Sequence, residues 1–95
     1  MELEIPDRAS VAAVKDPAGA VTALYQEHAL RLTRLALVMI QDGQAAEDIV
    51  QDAFRGLHRR WGNLHDSERA LAYVTSAVLN GCRSEFRRRK ASRTC

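Results

Sequence analysis

The sequence predicts an all-α protein, a compact three-helix bundle behind a disordered or short helical N-terminal lead-in. Three observations lead there. Apolar residues recur three and four apart over three long stretches, the spacing that lines one side of a helix at about 100° per residue. No stretch alternates apolar and polar residues over the length of a strand. Two prolines, five glycines and few β-branched runs in 95 residues leave little that favours sheet. The length suits one domain with a single core.

Residues 1–16 lack sustained periodicity, and Pro6 limits any helix begun before it. They are expected to be flexible, with the helical domain at 17–90 and the start of a linker or tail at 91–95. Asp16-Pro17 is a helix start: Asp serves as N-cap, and Pro takes the first helical position, where its missing N–H costs nothing. From there Val21, Leu24, Tyr25, His28, Leu32, Leu35, Ala36 and Met39 share one face through Ile40. His28 lies inside that stripe and reads as a core or boundary histidine. Leu30 and Leu37 fall on the other face, so this helix has apolar surface left for a second partner, or for the N-terminal segment, to cover.

Gln41-Asp42-Gly43-Gln44 is a short break, in which Asp42 can cap the next helix and Gly43 can relax the backbone at the turn. So short a connection forces the first two helices antiparallel. The second helix carries Ala46, Ile49, Val50, Ala53, Phe54, Leu57 and Trp61 on one side, which must be buried. Its opposite side carries Glu47, Asp48, Gln51, Asp52, Arg55 and Arg59. Solvation accounts for much of that row, but Asp48 and Asp52 are a like-charge pair at i,i+4, costing a few tenths of a kcal/mol. A row that is mildly unfavourable alone is a candidate docking surface.

Gly62-Asn63-Leu64-His65-Asp66 reads as a loop, with Gly62 and Asn63 suited to end a helix. Asp66 or Ser67 then caps a third helix carried from Glu68 to about Lys90, with Leu71, Val74, Val78 and Cys82 completing the core. Another face of this helix holds Arg69, Tyr73, Ser76, Asn80, Arg83, Ser84, Arg87 and Lys90, with no acid among them. Arginine and lysine meet phosphates, Tyr73 can stack on a base, and Asn80 can hydrogen-bond a base edge. Cations near a helix C-terminus also complement its dipole. Six basic residues between Arg83 and Arg93 exceed what that requires.

Charge is divided along the chain. Residues 1–53 carry nine acidic and four basic side chains, and residues 54–95 carry three acidic and ten basic. A basic half on a small helical domain suggests a polyanion partner. The longest apolar run, Leu35–Ile40, is six residues. A bilayer span needs about 20, so membrane insertion is not expected. The N-terminus has acids where a secretory signal would have bases, and a soluble, cytoplasmic protein is expected. Cys82 and Cys95 are read as free thiols. His28, His58 and His65 lack metal-ligand spacing with one another or with the cysteines, and no phosphate-cradling glycine loop is present. No catalytic residue, metal or cofactor is expected.

Ala46-Glu47-Asp48-Ile49-Val50-Gln51-Asp52-Ala53-Phe54 resembles the A-E-D-hydrophobic-hydrophobic-Q-acidic-x-F signature in region 2 of RNA polymerase sigma factors of the extracytoplasmic-function class. Tyr73-Val74-Thr75-Ser76-Ala77-Val78-Leu79-Asn80, with Arg87-Arg88-Arg89 beyond it, is similar to the family's second pattern. The resemblance covers about 20–90. It implies a transcription initiation domain that binds core polymerase and recognises and melts the promoter −10 element. Asp48, Gln51, Asp52 and Arg55 would dock on the coiled coil of the β′ subunit. The stretch Asn63, Leu64, His65, Asp66 and Ser67 would capture a flipped base of the non-template strand. Tyr73, Ser76, Asn80, Arg83, Ser84, Arg87 and Arg88 would hold that strand and its phosphates. An anti-sigma factor is a further implied partner. The family's Trp near Tyr73 and its acid near Ser84 have no match, which leaves sequence preference open. Nor is there a counterpart of the helix-turn-helix that reads the −35 element, so an excised domain of a longer factor is expected. The alternative is a helical protein-interaction module that does not read DNA itself.

Overall fold

The computed structural model describes residues 17–61 and 66–94. Three helices account for nearly all of them: α1 Pro17–Ile40, α2 Gly43–Arg59 and α3 Ser67–Thr94, with no strand among the described residues. Each helix packs on both others. The core they enclose is drawn from Leu24, Leu32 and Ala36 of α1, Val50, Phe54 and Leu57 of α2, and Val74, Val78 and Cys82 of α3. The apolar side of α2 is buried as expected, except that Ile49 is half-buried against the core edge. On α1 the stripe is narrower than its periodicity. Tyr25 and Met39 lie at its margins and are exposed, with the Tyr25 ring set edge-on to Phe54 at 5.1 Å between centroids. His28 occupies the boundary, where Arg31 donates to its Nδ1 at 3.2 Å. Leu30 and Leu37 are exposed, and Val38 joins them.

The α1–α2 turn is built differently from its sequence expectation. Gln41 is the residue in the left-handed region, at φ 56°, and its N–H donates to the Leu37 carbonyl at 2.7 Å. Gly43 is already the first residue of α2, and its φ is not positive. The reason is positional. A left-handed cap must directly follow the last helical residue, Ile40, while Asp42 must be extended to cap α2. Asp42 is extended, and its Oδ1 accepts from the Ala45 N–H at 3.1 Å. At the start of α3, Asp66 is the capping residue: its carboxylate accepts from the Glu68 N–H at 2.9 Å and its carbonyl from the Ala70 N–H at 2.8 Å.

α2 and α3 approach closely through two glycines. A Cβ on Gly81 would lie 2.8 Å from Ile49 Cγ2, and one on Gly56 would lie 2.7 Å from the Tyr73 hydroxyl. α3 runs past Lys90 to Thr94. Ala91 and Ser92 offer no helix breaker, and Arg89 ties this end down, donating to Asp42 Oδ2 at 2.6 Å and to Glu85 Oε2 at 2.7 Å. Asp42 therefore caps α2 with one oxygen and holds α3 with the other. The flexibility expected of residues 1–16, the cap expected of Asp16 and the helix end expected at Gly62 and Asn63 lie outside the described residues.

Candidate functional site

Two polar faces stand on different helices. On α2, Asp48, Gln51, Asp52 and Arg55 are all exposed, one turn apart on the side away from the core. The like charges are relieved locally: Gln44 Nε2 donates to Asp48 at 3.1 Å, and Arg55 donates to Asp52 at 2.8 Å and to Gln51 at 3.3 Å. The Arg55–Asp52 side chains are 63% and 76% exposed. An ion pair so open to water contributes little to folding and is readily exchanged for a partner's groups. Beside this face, a groove of about 320 Å³ runs between Tyr25, Leu30 and Thr33 of α1 and Glu47 and Gln51 of α2.

On α3, Ser76, Asn80, Arg83, Ser84 and Arg87 are exposed and fall on one side of the helix, with Asn80 Oδ1 accepting from Arg83 at 3.3 Å. Tyr73 stands apart from them. It is half-buried, its hydroxyl turned against Gly56 of α2, with the Arg60 guanidinium 5.9 Å from its ring centre. Arg88 is exposed but paired with Glu85. Asp66 is exposed at the start of the helix, its carboxylate occupied in capping. Asn63, Leu64, His65 and the Ser67 side chain lie outside the described residues.

The electrostatics divide the arginines. Hydrogen bonds from Arg89 and then Arg88 hold the Glu85 carboxyl below its usual range, and Arg89 does the same for Asp42 with help from the Ala45 N–H. The same contacts raise Arg89 further above its ordinary value. Arg88 and Arg89 are thus compensated within the domain. Among the described residues no carboxylate pairs with Arg83 or Arg87. These two carry the positive field of the face outward.

Between the C-terminal end of α1 and α3 lies a second groove, about 350 Å³, lined by Met39, Cys82, Arg83, Phe86 and Arg87. Phe86 is 53% exposed in it. Burial pushes the Cys82 thiol up from its ordinary pKa, which keeps it protonated and unreactive at neutral pH. The periodicity of α3 did not single out Phe86; the signal for it was an aromatic residue standing alone in the run Arg83 to Lys90. Among the described residues no cluster of His, Cys, Asp or Glu is placed to hold a metal ion, and no helix is long and apolar enough to cross a membrane.

The family model for sigma-70 region 2 matches residues 24–92, which takes in most of α1, all of α2 and α3 as far as Ser92. The chain belongs to the sigma-70 region 2 family. The curated relatives it matches are sigma factors of the extracytoplasmic-function class. The ECF RNA polymerase sigma factor SigM of Mycobacterium tuberculosis, in strains Erdman and H37Rv, is 31% identical over 71 residues, covering 75% of this chain and 36% of the relative. This region 2 domain therefore spans about a third of the length of those curated relatives. No solved structure matches it. Within the region 2 match, Ala46–Phe54 forms the middle of α2 and contributes to both its core side and its acidic face.

Proposed function

We propose that this sigma-70 region 2 domain is a promoter-opening module without catalysis of its own. It binds core RNA polymerase in the cytoplasm through Asp48, Gln51, Asp52 and Arg55 of α2. It holds the non-template strand of the −10 element through Asn63–Ser67 and α3, with Asn80, Arg83 and Arg87 nearest the strand. The observation that carries this reading is the separation of an exposed acidic face on one helix from a cationic face on another whose two central arginines, among the described residues, meet no carboxylate. One helix can then dock while the other reads. Unpairing a base costs a few kcal/mol, offset by the site that receives it and by phosphate contacts, so opening needs no nucleotide hydrolysis.

The test is a pull-down of the domain on a β′ coiled-coil fragment, beside strand binding to a −10 oligonucleotide. Asp48→Arg with Asp52→Arg is expected to abolish the pull-down and leave strand binding intact. Asn80→Ala is expected to do the reverse. Loss of both activities in either variant would refute the division of labour. A protein-interaction role is favoured by one observation, the exposed Leu30, Leu37 and Val38 on α1. That surface suits an anti-sigma factor, a partner compatible with the main reading.

A further inference from the structure

We propose that the groove between the C-terminal end of α1 and α3 is a pocket for one unstacked base of single-stranded DNA. Phe86 is its stacking surface, and Arg83 and Arg87 hold the flanking phosphates. The proposal rests on the reading of α3 as the DNA-binding helix and adds to it a base site distinct from residues 63–67.

Four features converge there. Part of the lining is apolar and polarizable, supplied by Met39 and the fully buried Cys82. Phe86 stands at the side with 53% of its surface exposed, in a helix segment otherwise made of charged residues and Ser84. At about 350 Å³ the groove is near the small end of ligand sites, which run from roughly 300 to 1,000 Å³, and a planar base suits it better than a large side-chain cluster. Arg83 and Arg87 line the groove and belong to the same outward face as Ser76 and Asn80, so it opens directly onto the cationic stripe.

Charge decides the class of occupant. Single-strand sites combine a cationic track for the backbone with an aromatic surface for the bases, and this is the combination present. Glu85, next to Phe86 in the chain, is engaged by Arg88 and Arg89, and Asp42 by Arg89, so neither carboxylate is left uncompensated. Phe86 lies nineteen residues along α3 from Ser67, about 28 Å at the helical rise. A base held there is several nucleotides away from one held at the α2–α3 loop.

The experiment uses the full chain and a fluorescein-labelled single strand, read by anisotropy at low salt, with a matching set in which each nucleotide in turn is abasic. Phe86→Ala is expected to weaken binding to the intact strand about tenfold. The loss should vanish on one abasic strand, and Phe86→Trp should restore affinity. The salt dependence should stay unchanged, because no phosphate contact is removed. Thermal melts establish that each variant is folded, which the exposure of Phe86 favours. Unaltered binding by Phe86→Ala, with Asn80→Ala and Arg83→Ala weakened, would overturn the pocket and leave the DNA reading standing; an acidic protein segment in the groove would give that result. An equal loss on every abasic strand would reduce Phe86 to a structural role and overturn the stacking. Failure of the wild-type chain to bind any strand would overturn both readings.

Discussion

A side chain with a Cβ is disfavoured in the left-handed region by roughly 1–2 kcal/mol, and Gln41 sits there to end α1. Its side chain is exposed, so nothing in the core depends on its being glutamine. Gln41→Gly removes the steric cost but adds chain entropy to the unfolded state, about 0.5–1 kcal/mol. The net expectation is stabilisation of about 0.5–1 kcal/mol, read as a rise of a few degrees in Tm. A fall in Tm would mean that the unfolded-state term dominates. The neighbouring Asp42 gives a pH prediction. Asp42 and Glu85 have depressed carboxyl pKa values in the fold, chiefly through Arg89. Their stabilising contribution is therefore full above the ordinary carboxylate range and is lost as pH falls through the depressed values. Melts below about pH 4.5 should show a steeper loss of Tm in wild type than in Arg89→Met, which starts lower at neutral pH. Parallel curves would deny the network any role. Neither feature was legible in the sequence: Gly43 drew the turn two residues too late, and nothing local joins positions 42 and 89.

At the scale of the helices, what could be read depended on how much of each face the neighbours cover. α1 and α3 both pack against the apolar side of α2, and that side, Ala46 to Trp61, was read residue for residue apart from the half-buried Ile49. Each helix also buries small residues, Ala20, Gly56 and Ala70, whose side chains carry too little apolar surface to mark a face. α1 presents a stripe wide enough to include Tyr25 and Met39, yet the other two helices cover only its centre. Glycine inside a helix is the opposite case, in which a weak local signal marks a strong contact. Gly→Ala within a helix normally stabilises by about 0.4–1 kcal/mol. Gly43→Ala should do so, since its Cβ would meet nothing within 4 Å. Gly81→Ala should instead cost about 1–3 kcal/mol, because the new methyl would meet Ile49 Cγ2 at 2.8 Å and a β-branched side chain cannot swing clear. Denaturant melts of the two variants with unchanged m-values would test the contrast. Equal stabilisation by both would mean that α2 and α3 part without cost.

For the molecule as a whole, the question is which of its many cations face outward. Sequence counting sees six basic residues between Arg83 and Arg93 and treats them alike, because the partner of a charge is not written beside it. Folding sorts them. Arg88 and Arg89 share Glu85, and Arg89 also reaches Asp42 across the bundle, while Arg83 and Arg87 meet no carboxylate among the described residues. The excess charge of the C-terminal half is thereby concentrated on the face that also carries Asn80. Binding to a single strand releases counterions in proportion to the phosphates neutralised, lowering log K by about 0.7 per contact for each tenfold rise in salt. Arg83→Ala and Arg87→Ala should each reduce that slope by about 0.7. Arg88→Ala should change it much less, because that arginine is already paired with Glu85, which Arg89 still holds when Arg88 is lost. Arg89→Ala should leave the slope nearly intact and lower Tm. Salt titrations of the four variants separate a face built by pairing from a mere surplus of charge. Equal slopes for all four would mean that the strand draws on total charge alone, and that the compensation by Glu85 and Asp42 has no bearing on where DNA is held.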